Sequence, residues 1–166
     1  MAFDIKLTLK IPDILLLKPD QARALLLRET GTTMQGIVDD LATQAKQRTP
    51  VFTGTLRASI GTRVTLGRSA ASLVQGEVFT GQQAPYALYV EEGTRPHFPP
   101  RAPLELWAQR VLGDRRLWFV VARAISRRGT RAHHMFRDAL AAVQPSIAPR
   151  LQSALDRVAR LWMGGS

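Results

Sequence analysis

The sequence predicts an α+β fold, in which an antiparallel sheet of about four strands is packed by a long helix in the N-terminal half and by a C-terminal helical region. Three observations predict it: residues 3–11 alternate apolar and polar side chains, residues 20–48 carry apolar residues at helical spacing, and short strand-like stretches separated by turns fill residues 56–91. The 166 residues have an ordinary composition, 45% hydrophobic and 22% charged, which favours one domain over residues 1–166.

The first two elements are a strand and a helix. Alternation over residues 3–11 gives the strand one apolar face. From Asp20 the apolar residues recur at helical spacing as far as Ala45, so a long helix is predicted. Because the ring of Pro50 disfavours helical backbone in the residue before it, the helix should end at Arg48 or Thr49.

Three further strands are predicted over residues 56–66, 73–80 and 86–91, and together they suggest an antiparallel meander. On this interpretation Tyr86 and Tyr89 point to opposite faces of the last strand.

The C-terminal part is predicted to be helical. A proline-rich loop covers residues 93–103, and helices follow over 104–112 and 115–128, the second capped by Asp114. Gly113 and Gly129 are expected to close these two helices. A last helical region spans residues 134–162, where Pro145 and Pro149 predict a break or a new start. Residues 164–166 are expected to be a mobile tail.

The sequence offers no catalytic or cofactor-binding pattern. The absence of cysteine excludes disulfides, thiolate zinc sites and a cysteine nucleophile. Adjacent His133 and His134 point about 100° apart on a helix and do not chelate one metal easily, and Glu91 and Glu92 would face opposite sides of a strand. No phosphate-binding loop, export signal or membrane-spanning run is found. We therefore expect no enzyme activity, no cofactor, no metal and no membrane contact.

The charge is concentrated in the C-terminal part. The net charge is +10, of which residues 1–100 carry +2 and residues 101–166 carry +8, with arginine as the only basic residue type in the latter. Arg116, Arg123 and Arg127 form one stripe on a predicted helix. A basic face of this kind attracts DNA or an acidic protein by the same long-range field, and it can also be a solvated helix face.

Three motifs together resemble one family. Residues 49–60 hold a helix-ending proline, Thr-Gly, Leu-Arg and Ser-Ile; residues 86–94 hold two tyrosines, two glutamates and Gly-Thr before the proline-rich loop; residues 135–140 read Met-Phe-Arg-Asp-Ala-Leu. In order and spacing they are similar to the small tail-completion, or head-tail joining, proteins of long-tailed bacteriophages and prophages. The likeness spans about residues 41–140 and is interrupted by a helical insertion at about 101–131.

The resemblance implies a structural virion protein without an active site, made in the cytoplasm of the host bacterium. Such a protein forms a ring, commonly sixfold, in the phage neck, where the tail tube meets the connector below the portal. Its partners would be its own copies, connector or head-closure proteins and tail-tube or terminator proteins, with transient non-specific contact to DNA in the lumen. The interface residues that the motifs suggest are Thr53, Gly54, Leu56, Arg57, Tyr86, Tyr89, Glu91, Gly93 and Thr94. Arg116, Arg123 and Arg127 would contact lumen DNA or an acidic partner.

Two alternatives remain open. The protein could be the terminator ring that caps the tail tube, because such proteins occupy adjacent positions. It could also be a free, basic nucleic-acid-binding protein, whose affinity for duplex DNA would fall steeply with salt. For the neck protein we expect residues 80–85 and 93–103 to make subunit and ring-to-ring contacts, and the isolated chain to be largely monomeric.

Overall fold

The structure, a computed structural model, describes residues 3–9, 20–69 and 72–163. Its elements in chain order are β1 (Asp4–Leu9), α1 (Asp20–Arg48), α2 (Thr55–Ser59), β2 (Ile60–Ser69), β3 (Ser72–Thr80), α3 (Ala87–Glu92), α4 (Arg101–Leu112), a 3₁₀ turn (Arg115–Leu117), α5 (Trp118–Arg128) and α6 (Met135–Met163). The predicted α+β class is confirmed. The predicted mobile tail, residues 164–166, lies outside the described residues.

The sheet has three antiparallel strands in the order β1-β3-β2 within the described residues. The N-terminal strand therefore lies beside β3, with Ile5 opposite Val78 and Leu7 opposite Gly76. On the other side of β3, β2 places Val64 opposite Gly76. Val74 and Val78 on the inner face are fully buried, whereas Asp4, Lys6 and Arg63 on the outer face are exposed. The apolar alternation of β1 thus faces the helices, as its sequence predicts.

The predicted fourth strand at residues 86–91 is wrong, because this stretch forms helix α3. Its backbone makes the bonds of a helical turn: the amide of Val90 donates to the carbonyl of Tyr86 at 3.2 Å. Ala84, Ala87 and Glu91 are all buried. Ala87 and Glu91, four positions apart, share one face of the helix, and Tyr89 between them is 61% exposed. A strand would have placed all three side chains on the same face.

The start of the predicted strand at residues 56–66 is also wrong. Residues Thr55–Ser59 form the short helix α2, and β2 begins only at Ile60. The amide of Ala58 donates to the carbonyl of Gly54 at 2.9 Å, and this turn buries Leu56. The chain thus makes one helical turn between the end of α1 and the sheet.

The core lies between the sheet and two antiparallel helices, α1 and α6. Ile37, Val38 and Leu41 of α1 are fully buried, and Phe136 of α6 stacks on the Phe3 ring with centroids 4.7 Å apart. Ion pairs between the helices, Asp40 to Arg150 at 2.5 Å and Glu29 to Arg157 at 3.4 Å, lie on the exposed side. Helix α1 therefore packs against both the sheet and α6.

Helix α6 continues through both of its prolines, so the predicted break at Pro145 and Pro149 is wrong. Each proline removes one backbone donor. Both prolines and Ala141, the residue one turn before Pro145, are exposed. The carbonyls that lose a donor lie on the wet side of the helix, where water can replace the missing bond.

We expect Gly76→Val to lower the free energy of unfolding by about 1–3 kcal/mol. A Cβ at Gly76 would lie 2.6 Å from a Val38 side-chain atom and 2.7 Å from the Met34 sulfur, so α1 would have to move away from the sheet. Urea denaturation followed by circular dichroism measures the effect. The control is Gly36→Ala on α1, where a Cβ meets nothing within 4 Å and alanine should raise stability by up to about 1 kcal/mol. Equal stability of Gly76→Val and the wild type would contradict this packing.

Candidate functional site

A cleft of about 1180 Å³ opens beyond the C-terminal end of α1. One wall is the turn that follows α1, including Pro50, Val51 and Phe52. Helix α3 forms the floor, the loop after it adds exposed side chains at the rim, and the helical insertion supplies Trp107, Val111 and Ile125 as the other wall. The lining is mainly aromatic and aliphatic.

Seven of the nine predicted interface residues line this cleft: Thr53, Gly54, Leu56, Tyr86, Tyr89, Gly93 and Thr94. Arg57 and Glu91 do not. Arg57 is exposed and donates to the carbonyl of Thr49 at 3.4 Å, whereas the Glu91 side chain is buried inside the chain. The first two sequence motifs, which 25 residues separate in the chain, are thus brought to one surface, although their role as an interface stays a prediction.

The two tyrosines stand on the same side of α3. Tyr86 is the N-cap of α3, Tyr89 lies three positions later in the helix, and both line the cleft, so their predicted placement on opposite faces of a strand is wrong. Tyr86 is 40% exposed and Tyr89 is 61% exposed. Two large rings therefore offer apolar area and hydroxyl groups to whatever enters the cleft.

Glu91 joins α3 to the beginning of α6. Its carboxylate oxygens accept from the backbone amides of Phe136 and Arg137, both at 2.9 Å. These amides belong to the first turn of α6, where helix amides have no partner within the helix. The amides of His133 and His134 donate to the carbonyls of Val90 and Glu91 at 3.0 and 3.1 Å. The position of the cleft floor is therefore fixed to the core helix.

A two-residue bridge closes the base of the insertion. Thr94 and Thr130 exchange two backbone hydrogen bonds of 3.2 Å, and their hydroxyls lie 3.0 Å apart. Gly93 and Gly129 flank the bridge with φ of 71° and 72°. Residues 95–129 consequently leave and rejoin the domain at one point.

The insertion is a helical hairpin that packs chiefly on itself, α4 against α5 and the 3₁₀ turn. Glu105 of α4 accepts from Arg101 and from Arg115, both at 2.6 Å, and Arg101 lies over the Trp118 ring at 5.0 Å. A contact across the cleft places Arg110 over the Phe52 ring at 5.2 Å. The hairpin is thus fixed at its base and touches the opposite wall.

Hydrogen bonds from Arg101 and then from Arg115 lower the pKa of Glu105 below its ordinary value. A carboxyl whose pKa is lower in the folded chain contributes stability above its unfolded pKa of about 4.3 and loses it as the pH falls through the folded value. We therefore expect Glu105→Gln to have a lower melting temperature than the wild type at pH 7. In strong acid the two proteins should have the same melting temperature. Thermal melts at both pH values test this, with Asp156→Asn as the control. A difference in melting temperature that is as large in acid as at pH 7 would contradict this expectation.

The arginine stripe is divided by the structure. Arg116, in the 3₁₀ turn, is 3.2 Å from Asp114, and the pKa of that carboxyl is lowered by the amide and side chain of Arg116. Arg123 and Arg127 are exposed one turn apart on α5. In the described part of the chain neither has a carboxylate within ion-pair distance. Two of the three arginines are therefore available to an anionic surface.

The proline-rich loop at residues 93–103, which the sequence predicts as a contact segment, contributes Arg95 to the cleft, but the residues that the insertion and its base add were missed. Arg95, Arg131 and His133 line it together with Trp107 and Val111. The pairing of Thr94 with Thr130, 36 positions away, brings them there, and no local pattern signals it. The apolar Val51 and Phe52 directly after Pro50 and the Tyr-x-x-Tyr spacing of Tyr86 and Tyr89 were the available signals of an apolar surface.

Within residues 3–9, 20–69 and 72–163, no group of three or more histidine and carboxylate side chains is placed to hold a metal ion. None of the helices that the structure describes combines the length and the hydropathy of a membrane span.

The described residues thus form an α+β domain with an open cleft that is mainly aromatic and aliphatic. Residues 25–93 match the family model described as "Bacteriophage HK97-gp10, putative tail-component". The match covers 69 of the 166 residues, from within α1 to the end of α3, and bears out the predicted resemblance to a family of bacteriophage tail components over that segment. The third motif, at residues 135–140, lies outside the matched segment. No curated protein and no solved structure matches this chain.

Proposed function

We propose that the protein is a ring-forming tail-completion component of the phage neck, joining the tail tube to the connector below the portal. The observation that carries the proposal is the cleft: the two family motifs inside the matched segment meet there and leave Tyr86 and Tyr89 exposed. Exposed aromatic side chains at a concave surface are typical of protein interfaces.

The insertion extends the apolar surface of this proposed assembly unit. Large hydrophobic side chains that are exposed on residues 94–130 are Phe98, Leu106, Val111, Leu112, Leu117, Phe119 and Val120. So much exposed apolar area on one projecting arm favours burial against another subunit or another ring. A head-to-tail contact of this type closes into a ring when the rotation between subunits permits it.

The charge supports passage of DNA near this protein. The net charge is +10, and Arg123 and Arg127 are exposed on α5. Arginines facing the lumen would attract the phosphates without reading the base sequence, so the DNA could slide.

The experiment that tests the proposal is a phage deleted for this gene and complemented by the wild-type chain. We expect the deletion to yield DNA-filled capsids and separate tails of normal length under negative stain, with infectivity restored by complementation. A terminator would instead leave tails of uncontrolled length, because tube growth would not stop. Fully joined, infectious particles from the deletion would contradict both neck roles.

The availability of Arg123 and Arg127 favours a second candidate, a free nucleic-acid-binding protein. Its monomer should bind duplex DNA, with affinity that falls steeply as salt increases. The variant Arg123→Glu/Arg127→Glu should abolish this binding. If the monomer does not bind DNA at low salt, the structural role is favoured.

A further inference from the structure

The rim of the cleft is positively charged. Arg95 and Arg131 line it, as do His97 and His133, and all four side chains are exposed. The lining includes no aspartate or glutamate. Within the described ranges, no carboxylate lies at ion-pair distance from Arg95 or Arg131. Two unpaired cations at one concave surface attract a negatively charged ligand and repel a positively charged one.

The floor of the cleft and the wall that follows α1 are apolar, and the cleft is large. Val51 is 59% exposed and Tyr89 is 61% exposed, although both line a concavity. The cleft volume of about 1180 Å³ exceeds the range of about 300–1000 Å³ that is typical of small-molecule sites. Space of this size, with rings in its floor and guanidinium groups at its rim, suits a polypeptide segment that carries both apolar and acidic side chains.

We propose that the cleft is a docking site for an acidic, aromatic or aliphatic segment of a different protein. The apolar side chains of that segment would pack on Tyr86, Tyr89 and Val51, and its carboxylates would pair with Arg95 and Arg131. This inference rests on the proposed neck role, for which it gives the chemistry of one partner.

A second copy of this chain fits the cleft less well. The chain has 23 basic and 13 acidic residues, so a neighbouring copy would bring further positive charge to a positive rim. Duplex DNA would satisfy the two arginines but would leave the apolar floor uncovered, because phosphates and sugars do not enter an aromatic pocket of this kind. An acidic polypeptide satisfies both parts of the lining.

Fluorescence anisotropy of a labelled peptide tests the proposal with the full chain. The probe is a short synthetic peptide in which glutamates are interleaved with leucine and tryptophan, and its counterpart has lysine in place of each glutamate. We expect the wild type to bind the acidic peptide and not the basic one. Arg95→Glu/Arg131→Glu should weaken binding at least about tenfold, because charge reversal at the rim replaces attraction with repulsion.

The matched control is Arg123→Glu/Arg127→Glu, which changes the net charge equally on helix α5, at residues outside the cleft lining. It should bind the acidic peptide within about twofold of the wild type at physiological salt, where separated surface charges are screened. Tyr89→Ala should weaken binding at least about fivefold through lost apolar contact. Circular dichroism should show all variants folded.

Three results would overturn the proposal: no binding of the acidic peptide by the wild type, equal loss in both charge-reversal variants, or displacement of the peptide by duplex DNA at equimolar phosphate. The outcome is separable from that of the neck role. If the deletion phage leaves heads and tails unjoined but the peptide does not bind, the neck role stands and the docking site falls. If the peptide binds and the deletion phage is fully infectious, the docking site stands and the neck role falls.

Discussion

Gly129→Ala is expected to lower the free energy of unfolding by about 3 kcal/mol or more. Gly129 has φ 72° and ψ −162°, a backbone region that is occupied almost only by glycine. A Cβ at this position would also overlap the carbonyl of Thr94, which belongs to the backbone and cannot rotate away. The substitution should therefore break the Thr94–Thr130 bridge and release the base of the insertion. Urea denaturation gives the stability, and hydrogen exchange at the two threonine amides gives the local effect.

Gly113→Ala provides the matched control for this substitution. Gly113 also has a positive φ, 80°, but a Cβ there meets nothing within 4 Å. Its replacement should cost only the strain of a left-handed backbone, about 1 kcal/mol. If Gly129→Ala and Gly113→Ala were equally stable, the close contact at the base of the insertion would be wrong.

Glu91→Ala is expected to lower the free energy of unfolding by about 3–4 kcal/mol. The carboxylate is 1% exposed and receives two backbone amides at the start of α6. Its removal leaves these amides without an acceptor in a buried place and takes away a negative charge from the positive end of a helix dipole. Glu91→Gln should lose less, because one amide oxygen can still accept a hydrogen bond. Chemical denaturation of the three proteins measures the series.

Glu92→Ala is the control for Glu91. Glu92 is adjacent in sequence but exposed, so its loss should change stability by less than about 0.5 kcal/mol. Equal effects at the two positions would show that the carboxylate of Glu91 does not hold α3 to α6.

The elements that sequence reasoning predicted well are those with local signals. Alternation in residues 4–9 is enough for β1, and helical spacing with Pro50 behind it is enough for α1 and its end at Arg48. The caps in the insertion were equally local: Gly113 closes α4, and Asp114 accepts from the amide of Arg116 at 2.8 Å, although the turn that it caps is the 3₁₀ turn and α5 begins only at Trp118. Such signals act over a few residues, so they are visible without the tertiary structure.

The errors share a physical cause. Residues 86–91 form so short a run that their apolar side chains fit either period. The burial of Ala87 and Glu91 on either side of an exposed Tyr89 fits only the helix, and it depends on packing against the rest of the domain. The sequence predicts Glu91 as an interface residue, but its acceptor role depends on amides 45 and 46 positions away. The insertion wall of the cleft likewise depends on the distant Thr94–Thr130 pairing. Long-range contacts of this kind carry no local sequence signature.

Electron cryomicroscopy of the intact virion tests the central claim most directly, namely that this chain acts by assembly at the junction of capsid and tail. The account predicts that the α1–α6 domain fits density arranged as a closed ring in the neck, with the cleft filled by a segment of another protein and with Arg123 and Arg127 directed to the lumen. The account would be contradicted if the neck density lacked this domain although the virion needs the chain for infectivity.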